Sequence, residues 1–145
     1  TRDSYGIPPG YIELEFTESL VFGDRTLFKN IVAECKHHGF LCSMDDFGSG
    51  YSSLNMLKSI HVDVLKLDRL FFLYGDDGER GLELVKNIIA MAKALDMKTV
   101  AEGIDEEYQV EQLRAMGCDA IQGYIFAKPM PMGDFTRFVQ EWDQP

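Results

Sequence analysis

The chain has 145 residues, 24 acidic against 14 basic side chains and a formal net charge of −10. This length suits one domain, and the negative charge argues against a protein that holds a nucleic acid polymer through Lys and Arg. Cys35, Cys42 and Cys118 are odd in number and lack C-x-x-C spacing, which favours the reducing cytoplasm over a disulfide or structural zinc framework. No apolar run is long enough for a membrane span, so we expect no membrane contact by this segment.

Short β-type runs alternate with longer helix-type runs along the chain. Strands are predicted at residues 11–16, 41–45, 62–68, 98–101 and 120–126. Apolar residues spaced at three and four predict helices from Asp24 to the stop at Gly39 and over residues 79–95, 106–116 and 132–142, with Gly117 ending the third. This alternation is typical of a parallel sheet with crossover helices.

The alternation alone fits both an open parallel sheet and part of an eight-unit barrel. A (β/α)8 barrel uses about 31 residues per unit, so a chain of 145 residues holds about five units. We therefore predict an α/β fold made of five β-α units of a TIM-type barrel.

Polar residues stand at the carboxyl ends of the predicted strands, where parallel α/β folds place their sites. They are Glu15, Asp45 with Asp46, Lys66 with Asp68, Glu102 and Gln122. One such residue alone is typical of a turn or a helix cap, but the repetition over five strands indicates a site. A ring of carboxylates around one lysine suits a hard divalent cation, because Mg²⁺ and Mn²⁺ prefer oxygen ligands.

Five segments, in this order, carry a family resemblance. They are E-F-T-E-S at residues 15–19, D-D-F-G-S-G-Y-S-S-L at 45–54, K-L-D at 66–68, A-E-G-I at 101–104 and Q-G-Y at 122–124. Together they resemble the EAL-domain phosphodiesterases of bacteria, which hydrolyse the second messenger cyclic di-GMP. The resemblance implies hydrolysis to linear pGpG by a two-metal mechanism with Mg²⁺ or Mn²⁺.

The same resemblance assigns residue roles. The implied metal ligands are Glu15, Asp45, Asp46 and Glu102, with Asp45 bridging two ions. The implied catalytic residues are Lys66, Glu102, Gln122 and Glu18. Of these, Lys66 would position the attacking water, Gln122 would hydrogen-bond the water or a ligand carboxylate, and Glu18 would anchor the loop that follows Asp46. Asp105 stands where the family commonly has Glu, which leaves open the contact that a longer acid would make.

The sequence also departs from the family. It contains neither the E-A-L segment, whose glutamate binds metal, nor the strand that supplies a ligating asparagine. We therefore expect residues 1–145 to be a single partial EAL domain, the last five β-α units of the barrel, and to be inactive alone. The alternative is a non-catalytic module that binds cyclic di-GMP or a protein partner. An unrelated acidic barrel enzyme, such as an enolase-like one, is disfavoured by the segment at residues 45–54.

The resemblance also implies partners and location. Besides cyclic di-GMP, it implies a homodimer coupled to the site through the loop at residues 46–51. It is also compatible with a sensory or GGDEF domain fused upstream. The expected location is the cytoplasm, including the cytoplasmic part of a membrane-anchored signalling protein.

Overall fold

The computed structural model describes residues 3–17, 25–48, 57, 59–72 and 78–142. Within them, one sheet contains five strands: β1 (Glu13–Thr17), β2 (Leu41–Phe47), β3 (Val64–Leu67), β4 (Lys98–Ala101) and β5 (Ala120–Ile121). Neighbouring strands are parallel and follow the order of the sequence. The predicted α/β architecture with a sequential parallel sheet is confirmed.

In the part of the chain that the structure describes, four helices accompany the sheet: α1 (Arg25–His37), α2 (Gly78–Ala94), α3 (Glu107–Met116) and α4 (Met132–Trp142). The apolar spacing predicted in α2 is its buried face, since Val85, Ile88, Ile89 and Ala92 are all buried. Gly117 ends α3 in the left-handed conformation, with φ of 79°, as expected for a glycine helix cap. The bounds of α4 are those that the spacing predicts.

The core lies between the sheet and helices α1 to α3. β3 is buried along its whole length, as is typical of an inner parallel strand covered on both sides. Its neighbour β2 contributes Cys42 and Met44, while α1 adds Phe28 and Val32. Helix α4 differs from the other three, because none of its residues is buried. Its apolar side therefore contributes little to the core of the described residues.

Three predicted strands are too long: the strand predicted at residues 62–68 is confined to Val64–Leu67, and two others are too long at one end. β1 begins at Glu13 because the preceding segment forms a 3₁₀ turn, Pro9–Tyr11, in which proline supplies the turn dihedral angle. β5 ends at Ile121 and not at residue 126. The reason is the close approach of Gly123 to the chain after β4: a Cβ at Gly123 would lie 1.8 Å from the carbonyl oxygen of Ile104. Hydrogen bonds from Ile104 N to Gln122 O and from Ile125 N to Ile104 O hold this crossing.

Candidate metal centre

The ammonium group of Lys66 joins three strands at one end of the sheet. Lys66 is a buried residue of β3, and its Nζ lies 2.8 Å from Glu15 Oε1 of β1 and 2.9 Å from Glu102 Oε1 directly after β4. The same Nζ lies 3.1 Å from Asp45 Oδ1 of β2. Parallel strands bring their carboxyl ends to one edge, which is why residues far apart in sequence meet here.

Asp45 and Asp46 are neighbours in one strand yet both belong to this cluster. Successive side chains of a regular strand point to opposite faces of a sheet. Here the register between β2 and β3 shifts between Met44 and Phe47, and Asp46 has a left-handed backbone with φ of 56°. This irregularity redirects the side chains, as bulges beside functional sites do. Oxygens of Asp45, Asp46 and Glu102 consequently lie within 4.8 Å of one another.

The charges in the cluster perturb one another. Burial raises the pKa of Asp46, and the negative charges of Asp45 and Asp68 raise it further, against a smaller opposite effect of Lys66. Burial by itself would lower the pKa of Lys66, but the carboxylates that surround its ammonium group outweigh that effect and raise it. Lys66 is therefore a cation at any physiological pH.

One buried oxygen in the cluster has an ion-pair contact but no hydrogen bond. Asp45 Oδ1 is buried and, among the described residues, accepts no hydrogen bond, since its contact with Lys66 lacks hydrogen-bond geometry. A buried carboxylate oxygen without a hydrogen bond is costly. Three converging carboxylates supply the hard oxygen donors that Mg²⁺ and Mn²⁺ favour. The cluster can thus hold a divalent cation.

A cavity of about 570 Å³ lies at the same edge, along the carboxyl ends of β3, β4 and β5. It is lined by charged, polar and apolar groups that include Arg69, Asp105, Gln122, Tyr124, Lys128 and Phe135. Of the residues predicted from the strand ends, Gln122 belongs to this cavity and not to the carboxylate cluster around Lys66.

Some cavity residues were not predicted from the sequence. Arg69 directly follows the K-L-D segment, and this position alone would have placed it at the same edge. Lys128 lies over the ring of Tyr124, with its Nζ 5.5 Å from the ring centroid. Tyr124 ends the Q-G-Y segment, whereas no motif signalled Lys128. Asp105, the shorter acid, accepts a hydrogen bond from Tyr124 N at 3.3 Å, so it stabilises the turn that carries the ring.

The structure therefore brings Glu15, Asp45, Asp46, Lys66 and Glu102 together. Gln122 follows β5 at the same edge. Glu18 and most of the segment at residues 45–54, from residue 49 onward, lie outside the described residues.

Comparison with known proteins agrees with this geometry. Residues 1–129 match the EAL domain family. The chain belongs to that family. The family resemblance of its motifs is thereby confirmed, as is the barrel-type fold that the resemblance implies.

Named relatives include two proteins of Pseudomonas aeruginosa and one of Escherichia coli. Cyclic di-GMP phosphodiesterase NbdA is 35% identical over 94% of this chain and 18% of its own length. Cyclic di-GMP phosphodiesterase RocR is 35% identical over 92% and 34%, and probable cyclic di-GMP phosphodiesterase PdeB of Escherichia coli is 38% identical over 94% and 26%. The chain thus spans about a third or less of these relatives.

Solved structures give the same result at the level of the fold. The EAL domain of Mycobacterium smegmatis DcpA matches 99% of this chain and 65% of its own, with a TM-score of 0.88 and 33% identity. The PaMucR phosphodiesterase in complex with c-di-GMP matches 92% of this chain and 54% of its own, with a TM-score of 0.84 and 34% identity.

Among the described residues, no helix combines the length and the apolar character that crossing a membrane needs.

Proposed function

We propose that this chain is part of a phosphodiesterase domain that hydrolyses cyclic di-GMP to linear pGpG with Mg²⁺ or Mn²⁺. The observation that carries the proposal is the convergence of Asp45, Asp46 and Glu102, one of whose buried oxygens accepts no hydrogen bond from the described residues. Relatives named cyclic di-GMP phosphodiesterases support the choice of substrate.

In this proposal, the side chains that would hold the divalent ions are Glu15, Asp45, Asp46 and Glu102, and Asp45 would serve as a ligand to both ions. Bound there, such ions would supply an activated water and neutralise charge on the phosphodiester. The chain's own contribution is to fix the carboxylates on adjacent parallel strands. Lys66 offsets their mutual repulsion and keeps Glu15, Asp45 and Glu102 oriented. It would also help to position the attacking water through a hydrogen bond from its ammonium group.

The cavity beside the carboxylates suits a nucleotide ligand. Arg69 and Lys128 provide positive charge for phosphate oxygens, and Tyr124 and Phe135 provide aromatic surface for a base. Gln122 can both donate and accept hydrogen bonds, so we assign it to the ligand or its water. An acidic chain can bind an anionic dinucleotide in this way because cations gather locally at the site.

Residues 1–145 alone are proposed to be a partial domain. The E-A-L glutamate and the asparagine expected from the family are not in this sequence, and a two-metal mechanism needs both ions. The 145-residue chain alone should therefore bind cyclic di-GMP without hydrolysing it. For this segment, the proposal thus coincides with the alternative of a non-catalytic module that binds cyclic di-GMP. The same proposal includes Glu18 as the loop anchor, a homodimer, a sensory or GGDEF domain fused upstream, and action in the cytoplasm.

The metal part of the proposal is tested by calorimetric titration of the 145-residue chain with Mn²⁺. Asp45→Asn keeps the shape of the side chain and removes its charge, so affinity should fall at least about tenfold. Asp134→Asn, on exposed α4, is the matched control and should bind Mn²⁺ like the unchanged chain. Equal affinity in the unchanged and Asp45→Asn chains would contradict the proposal.

A further inference from the structure

The irregular backbone at Asp46 needs support from outside the strand. A left-handed non-glycine residue is less stable than an extended one, and a bulge gives up part of the pairing between strands. Pairing between β2 and β3 resumes at Phe47 opposite Leu67, and Phe47 O accepts a hydrogen bond from Asp68 N at 3.3 Å. That bond fixes the strand directly after the bulge.

The side chain of Phe71 packs against the strand directly after the bulge, at Phe47 and Gly48. It belongs to the 3₁₀ turn Arg69–Phe72, which directly follows the K-L-D segment. Its ring stacks on that of Phe47, with 6.3 Å between centroids and an interplanar angle of 23°. A Cβ at Gly48 would lie 2.0 Å from Cε2 of Phe71, and Gly48 itself has φ of 97°. The ring is therefore packed directly against the backbone that leaves the bulge.

The other members of the turn have different contacts. Phe72 is buried in the core, and its carbonyl oxygen accepts a hydrogen bond from Gln109 Nε2 at 3.3 Å. Leu70 is exposed. In the turn, it is the ring of Phe71 that rests on both Phe47 and Gly48.

We propose that Phe71 is a positioning residue for the metal centre, acting through Phe47 and Gly48 to keep Asp45 and Asp46 on the same side of the sheet. This inference rests on the proposed function, because it assigns Phe71 the task of aligning the proposed ligands. A phenyl ring is not a metal ligand, so Phe71 acts only through the residues that it packs against. Its removal should loosen the alignment of two ligands without deleting either.

The first experiment measures Mn²⁺ affinity by calorimetry on the 145-residue chain. Phe71→Ala should weaken binding about tenfold, the scale on which groups that orient metal ligands act. Phe71→Met keeps an apolar chain of similar reach and should recover most of the affinity. Leu113→Ala is the control, since it opens a cavity in the core under α3 and should lower stability without changing Mn²⁺ affinity.

The second experiment needs no metal. Gly48→Ala should lower the urea midpoint strongly in the unchanged chain and clearly less in Phe71→Ala, because the ring that the new methyl group meets is then gone. If the midpoint shifts of Gly48→Ala and Phe71→Ala simply add in the double variant, the inference is overturned. This outcome can be read even if the chain binds no Mn²⁺, a result that would contradict the proposed function. If the unchanged chain binds Mn²⁺ and Phe71→Ala binds it equally well, the inference alone is overturned.

Discussion

Replacing Lys66 by Met would remove the positive charge at the centre of the carboxylate cluster while keeping the apolar stem of the side chain. The ammonium group contacts carboxylates of Glu15, Asp45 and Glu102 at 2.8 to 3.1 Å. Without it, these acids face one another across a partly buried space. We expect Lys66→Met to destabilise the folded chain at pH 7 in the absence of metal.

The magnitude follows from the geometry. Oxygens of Asp45 and Glu102 lie within 4.8 Å of each other, and two unit charges at that separation repel by about 3.5 kcal/mol at an effective dielectric constant of about 20. Removing one partner of a buried ion pair costs about 3 to 5 kcal/mol. The side chains of Asp45 and Glu102 are 20% and 19% exposed, so solvent screens part of this, and a loss of about 3 kcal/mol is the expected value.

Urea unfolding followed by circular dichroism at low salt measures the loss. Lys86→Met is the control, because Lys86 pairs with Glu83 on the exposed surface of α2 and should change stability by under about 1 kcal/mol. Mn²⁺ should restore more stability to Lys66→Met than it adds to the unchanged chain, since the ion replaces the missing charge. A loss below about 1 kcal/mol for Lys66→Met would refute the electrostatic account of the cluster.

Three further predictions concern single residues of the described structure. The raised pKa of Asp46 means that the folded chain takes up a proton there more readily than the unfolded chain. The stability of the unchanged chain relative to Asp46→Asn should therefore be greatest below the unfolded pKa and be lost as pH rises through the folded pKa; urea titrations at several pH values check the sign. Gly123→Ala should cost at least about 2 kcal/mol in the same assay, because its methyl group would overlap the carbonyl oxygen of Ile104, whereas Gly133→Ala in α4 meets nothing within 4 Å and should shift stability by under about 1 kcal/mol. In the complete EAL domain, Asp45→Asn should reduce the rate of hydrolysis far more than the affinity for cyclic di-GMP, and a normal rate would show that Asp45 bridges no ions.

The sequence correctly predicts that the site forms at the carboxyl ends of the strands. It does not predict the conformation of the backbone at that site. Strand order and the apolar spacing of the helices follow from residue periodicity, and motif positions place Glu15, Lys66 and Glu102 at the ends of strands. The shared side of Asp45 and Asp46 could not be predicted in the same way, because strict alternation sends neighbouring residues to opposite faces. It depends on a register shift and a left-handed residue, which are set by tertiary packing.

The early end of β5 has a similar cause. Residues 120–126 include three aromatic or β-branched apolar side chains after Ile121, which favours a strand by local preference. The backbone of Gly123 instead crosses that of Ile104 at a distance that only glycine permits. Contacts between segments that are distant in sequence decided this element, and single-sequence periodicity does not contain them.

The most direct test of the account is a chromatographic assay for the linear dinucleotide, with cyclic di-GMP and Mn²⁺. It compares three proteins: the 145-residue chain, the complete EAL domain that contains it, and the complete domain carrying Asp45→Asn. We predict turnover by the complete domain only, abolished when the divalent ion is chelated. Turnover by the 145-residue chain within about tenfold of the complete domain would contradict the partial site, and metal-independent turnover by the complete domain would contradict the metal centre itself.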